Sequence, residues 1–140
     1  MADVVYNSFK QKIMDGSIDL DTDTIRVALV TSSYTPDQDA HEDFADLTNE
    51  VSGTGYTAGG TTLANKSVTK DNTDNEGVFD ADNVTWSTAT ITARGAVLYK
   101  DSGVSATSWL ICYFDFTEDK SASGADFVIN WAGEGIINLN

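Results

Sequence analysis

Few side chains in this chain could carry chemistry. His41 is the only histidine and Cys112 the only cysteine. A Ser-His-Asp relay or a multi-histidine metal centre needs partner groups that one histidine cannot supply within one chain. His41-Glu42-Asp43 has the opening of a zinc-protease helix, but the second histidine that would complete the ligand pair is missing. A surface or capping role is expected for His41. Cys112 stands in the apolar run Leu110-Ile111-Cys112-Tyr113-Phe114, with no basic neighbour in sequence to favour its thiolate. It is expected to be a small buried hydrophobe.

Gly53-Thr54-Gly55-Tyr56-Thr57-Ala58-Gly59-Gly60 carries the spacing Gly-x-Gly-x-x-Ala of a dinucleotide fingerprint. That motif works only between a strand and a helix, where the pyrophosphate rests on the helix N-terminus. Here Thr61-Thr62-Leu63-Ala64-Asn65 follows, which has strand or loop character, so the glycines are expected in tight turns with Tyr56 packed beside them. Two acidic clusters raise the question of a hard cation: Asp19, Asp21 and Asp23, and the run from Asp71 to Gly77 with Asp80 and Asp82. Alternating Asp/Asn ligands suit calcium, but Asn83 stands where a bidentate glutamate belongs. Solvated turns are the expectation, with no metal and no cofactor. A glycan hydrolase would need two carboxylates at glycosidase separation, and nothing local singles out such a pair, so no enzymatic activity is expected.

The elements that must hold these residues are mostly strands. Val5, Phe9 and Ile13 follow i, i+4 spacing with Gly16 just beyond, which predicts a short N-terminal α-helix over about 4–15 that lays its stripe on the main body. Ile25-Arg26-Val27-Ala28-Leu29-Val30 is β-branched and apolar on both faces, as a strand covered on both sides should be, with the helix over one of them. Thr35-Pro36-Asp37-Gln38 combines an N-cap, a proline at the first helical position and a capping-box glutamine. It predicts a short helix or an ordered loop leading to Phe44 and Leu47.

Residues 51–83 are rich in Gly, Thr, Asn and Asp without helical period, the pattern of loops, hairpins and edge strands. Five β-rich runs follow: Val84 to Trp86, Ala89 to Tyr99, Ser108 to Phe116, Phe127 to Trp131, and Ile136 to Leu139. Phe127, Ile129 and Trp131 should share one face. Trp109, Ile111 and Tyr113 should form a second row, opposed by Leu110, Cys112, Phe114 and Phe116, in a strand buried on both sides and central to its sheet. The expected architecture is mainly β, an antiparallel β-sandwich or barrel-like body over about 24–140 with an acidic segment at 35–50, all in one domain of 140 residues. A chain of this length buries roughly 70% of its unfolded surface, enough for one core.

The net charge of −14, from 22 acidic against 8 basic side chains, repels phosphate backbones and anionic headgroups, so neither direct nucleic-acid nor membrane binding is expected. It also keeps a concentrated protein soluble. One cysteine leaves no intramolecular disulfide to form. The first residues hold no basic segment followed by an apolar run, which suggests synthesis and folding in the cytoplasm.

Several strings resemble a family of small virion structural proteins of tailed bacteriophages: the stretch from Gly16 to Val30, His41 with Phe44 and Leu47, Glu50-Val51-Ser52-Gly53-Thr54-Gly55-Tyr56 with Gly59-Gly60, and Phe79 to Trp86. The likeness covers nearly the whole chain. The resemblance implies a virion component, and among locations a capsid decoration or cement protein on the exterior of the head. Its implied partners are the major capsid protein, further copies of itself as a homo-oligomer such as a trimer, or other decoration proteins. His41, Phe44, Leu47, Gly53, Gly55, Tyr56, Gly59 and Gly60 are the candidate interface residues, with flexible Gly/Thr loops expected to order against the partner. The alternative is a tail, fibre or baseplate component that binds a host receptor or glycan, with Trp86, Trp109 and Trp131 as aromatic platforms.

Overall fold

The computed structural model describes residues 2–140. It is mainly β and entirely antiparallel. Strands β1 (Val4–Val5), β2 (Ile25–Val30), β3 (Thr61–Thr62), β6 (Val84–Lys100) and β7 (Leu110–Ile129) form a five-stranded sheet in the order β1-β7-β6-β2-β3. Strands β4 (Ser67–Asp71), β5 (Glu76–Asp80) and β8 (Ile137–Leu139) form a second sheet in the order β4-β5-β8. The one α-helix among the described residues, α1 (Asn7–Met14), packs on β7.

The helix is shorter than its periodicity suggests. Val5 belongs to β1 and pairs with Cys112 rather than opening the helix. Phe9 is the residue of α1 that is fully committed to the core, and Gly16, at φ 81°, leaves the helix in the left-handed region just past its C-cap Asp15. The acidic segment forms an ordered loop. Asp37 caps a turn by accepting the Asp39 and Ala40 N–H groups, and Asp43 caps a single 3-10 turn over Phe44–Asp46. Gln38 donates to the Val5 carbonyl at 2.7 Å instead of closing a capping box.

Two of the expected pairs of strands are each one continuous strand. The runs 84–86 and 89–99 are joined in β6, and the runs starting at 108 and 127 in β7, so that the polar stretch between them is strand and not turn. The β6–β7 ladder survives through bulges. From Trp86 to Ala89, β6 gains a residue at Thr88 (φ 51°); from Ala125 to Ser123, β7 gains one at Gly124 (φ 60°). Opposite the step from Ala93 to Gly95, β7 runs from Lys120 to Asp115 and takes up Thr117 at φ 68°. Bulges bend and twist a ribbon, and this one folds over far enough to bring Phe116 and Phe127 of the same strand to a ring separation of 6.3 Å.

A further slip, Leu98↔Cys112 followed by Tyr99↔Leu110, makes Ile111 the extra residue. It breaks the expected alternation: Leu110 and Tyr113 face one core cluster while Ile111 and Cys112 face the other. The larger cluster gathers Ile25, Val27 and Leu29 of β2 with Trp86, Ile91, Leu98, Phe127 and Ile129, and Phe79 of the second sheet and Ile136, just before β8, enter it as well. The smaller one lies on the opposite face of the main sheet around Tyr6, Tyr34, Val97, Tyr99 and Tyr113. Phe127 and Ile129 share the expected face, while Trp131 lies beyond the strand, its indole N–H donating to the Asp82 carbonyl.

Candidate interaction surface

Arg26 is the one charged residue of β2, and a half-buried guanidinium must find acceptors for its buried N–H groups. It finds them in the glycine-rich loop: Nη2 donates to the Gly60 carbonyl (2.8 Å), Nη1 to Thr62 Oγ1 (3.0 Å), and Nε to the Tyr99 hydroxyl (3.2 Å). The Tyr99 hydroxyl in turn donates to the Gly59 carbonyl at 2.6 Å. Burial raises the Tyr99 phenol above its ordinary value, and the adjacent Arg26 opposes that shift.

The other side of the loop is fixed by Glu50. Its Oε2 accepts both the Tyr56 hydroxyl and the Gly59 N–H at 2.7 Å. The Tyr56 oxygen also accepts the Leu29 N–H at 3.0 Å, so a side chain completes the hydrogen bonding of β2 beyond the short β3. Burial, and then the hydrogen bond to Glu50, push the Tyr56 phenol well above its ordinary value. Gly60, at φ 74°, sits so close to β2 that a Cβ there would overlap the Val27 carbonyl. Gly53 and Gly55 lie against the backbones of Thr90 and Ala89, and Thr90 donates its N–H to the Thr54 carbonyl.

The acidic loop meets the same scaffold from the other end. The Phe44 ring lies 4.6 Å from that of Tyr99, and Leu47 packs on the same tyrosine-rich cluster. His41 Nδ1 accepts the Asp37 N–H (3.2 Å), lies 3.1 Å from the Tyr34 hydroxyl, and through it joins a chain to Tyr6 (2.7 Å). Tyr99 thus links Phe44 to Gly59, whereas His41 belongs to a separate hydrogen-bonded group. The glycines that suggested mobility serve close backbone approach at Gly53, Gly55 and Gly60, and hydrogen bonds from Arg26 and Tyr99 and to Glu50 hold the loop that carries them. Outward the glycine-rich loop presents Ser52–Gly55, Thr57 and Ala58, and the acidic loop presents its turn at 37–40.

Arg26, Glu50 and Tyr99 organise this surface and were not singled out by their sequence context. One signal existed for Arg26: a lone cation in an otherwise apolar strand requires partners brought from elsewhere.

The other chemical candidates are absorbed locally. Cys112 is fully buried, and burial raises its thiol far above the ordinary value. Asp19 accepts the Asp21 and Thr22 N–H groups, and Asp23 accepts the Asp19 N–H and pairs with Lys100 at 2.9 Å. Asp71 accepts the Thr73 and Asp74 N–H groups in the β4–β5 turn. Of the tryptophans, Trp86 is buried against Phe127 and Tyr56, while Trp109, with Lys12 Nζ 3.9 Å from its ring centre, and Trp131 are half-buried. In comparisons with family models, with curated proteins and with solved structures, the chain has no significant match.

Proposed function

We propose that this chain is a structural protein of a tailed-phage particle, a decoration protein that binds the outer surface of the head and bridges neighbouring capsomers of the major capsid protein. The observation that carries this reading is the pinned surface built by Arg26, Glu50 and Tyr99. Its side chains are spent on holding two loops rigidly against a sheet, which suits a protein that acts by contact, since a preordered surface loses little entropy on binding. Repeated copies on a lattice gain avidity from modest single contacts, and the charge of −14 keeps a densely covered particle dispersed. The family resemblance of the sequence supplies the phage context.

The test is to strip expanded heads of their outer proteins and add the purified chain. Saturable, stoichiometric co-sedimentation and a higher rupture temperature are expected; stripped heads that take up none of it would refute the reading. A tail or receptor-binding role is favoured by one observation, the partial exposure of Trp109 and Trp131. Copy number per particle separates the two, because a tail-tip protein is present in few copies and a head decoration in hundreds.

A further inference from the structure

We propose that the groove along the open edge of β7 binds an extended apolar segment of a partner protein, flanked by lysine or arginine, as an added strand. Beyond Tyr113, β7 has no strand neighbour other than β6 among the described residues, because β1 pairs only with Cys112 and Tyr113. The Asp115 and Thr117 N–H groups are taken by the Asp3 and Asp115 carboxylates at 2.7 and 2.8 Å, and on either side of the bulges at Thr117 and Gly124 the remaining backbone donors and acceptors of the edge are those that a further strand can satisfy.

Beside that edge lie two adjoining hollows of about 390 and 380 Å³ that share Phe116, Ile129 and Asn130. They exist because the bent strand faces itself: Phe114 stacks obliquely on Trp131 at 5.4 Å, and Phe116 approaches Phe127. Val128, 45% exposed, stands at the rim of one hollow. Alternate side chains of an added strand would enter these hollows, which selects for apolar residues at every second position.

Charge selects the flanks. Asp126 borders one hollow, Asp3 and Asp115 the other. Asp115 is neutralised by Arg94 at 3.0 Å and Lys120 by Glu118, whereas neither Asp3 nor Asp126 forms an ion pair among the described residues. The net field at the groove is therefore negative, within a chain of net charge −14. It disfavours a second copy of this chain and favours a cationic segment. This inference does not depend on the decoration reading, and neither does its test.

The probe is a synthetic peptide of alternating valine and threonine with two lysines at each end, titrated while tryptophan fluorescence is followed. A matched peptide with glutamates in place of the lysines is the control. The lysine peptide is expected to saturate with a Kd on the order of 10 μM, and the glutamate peptide to bind at least about tenfold more weakly. Val128→Lys, at an exposed position, should leave the thermal midpoint unchanged and reduce binding by about tenfold or more. Phe116→Ala should also reduce it. No saturation by the lysine peptide, equal binding of both peptides, or unchanged affinity in both variants overturns the proposal. So does a concentration-dependent dimer that Phe116→Ala dissociates, since the occupant would then be a second copy. No phage particle enters this experiment, so its failure is distinguishable from a failure of head binding.

Discussion

Phe116 and Phe127 lie in one strand, yet their rings are 6.3 Å apart; in a straight strand the same two positions would be separated by about 37 Å. The β6–β7 ribbon therefore builds two layers by bending, and the aromatic side chains inside the bend hold it closed. Phe127 is 5% exposed and also meets Trp86 at 6.0 Å. Phe127→Ala should cost about 3–5 kcal/mol, the range for large aromatic truncations in a core, whereas Val128→Thr on the outer face should be nearly neutral. Urea denaturation of the two variants checks the difference.

The Tyr56 hydroxyl connects Glu50 to Leu29. Tyr56→Phe leaves the Leu29 N–H without its acceptor and removes one of the two donors at Glu50 Oε2. A loss of about 1–3 kcal/mol is expected. Amide exchange measured residue by residue should quicken at Leu29 and Gly59 well before it changes at Val97 or Ile111. Equal acceleration everywhere would mean that the loop is not a separately anchored unit.

All five tyrosines have phenols raised above the ordinary value of 10.0, and in each the largest cause is burial. An acid whose folded pKa lies above its unfolded one contributes stability that is complete below the unfolded value and is lost as pH rises through the folded one. The folded protein should show less tyrosinate absorbance at pH 10 than the unfolded chain. Tyrosinate should then appear together with the loss of circular dichroism at higher pH. A gradual titration near pH 10 with the fold intact would contradict the buried tyrosine cluster.

At the acid end, the Asp115 carboxyl is held below its ordinary value of 3.8, first by the Thr117 N–H and then by Arg94. A depressed carboxyl stabilises the fold above its unfolded pKa and loses that contribution as pH falls through the folded one. Asp115→Asn should lower stability at pH 7 and lose less than the parent between pH 4 and 2. Thermal midpoints across that range give the comparison.

Much of this architecture is legible in the residues. Ile25 to Val30 announces a doubly covered strand because every position but Arg26 is apolar, and the alternation from Ala89 to Ala93 places one face inward. Thr117 to Asp126 is not legible: nearly all of it is exposed, so no hydrophobic period marks it as strand, and its Ser, Gly and Asp residues carry turn signals. Ile111 deceives for another reason, since a single bulge reverses the phase of an otherwise regular pattern. At the interaction surface, Gly59 and Gly60 stand out in sequence, but their partners Arg26 and Tyr99 are dozens of residues away and are joined to them only by the sheet. The apparent looseness of a Gly/Thr-rich segment is for the same reason a misleading signal when its glycines answer close packing.

The central claim is that this rigid acidic domain belongs to the outside of a phage head. Imaging intact particles with the chain carrying a compact label tests it most directly. Label repeated over the head lattice, in numbers matching the capsomer contacts, is the result expected here; label confined to the tail, or none on the particle, would contradict it.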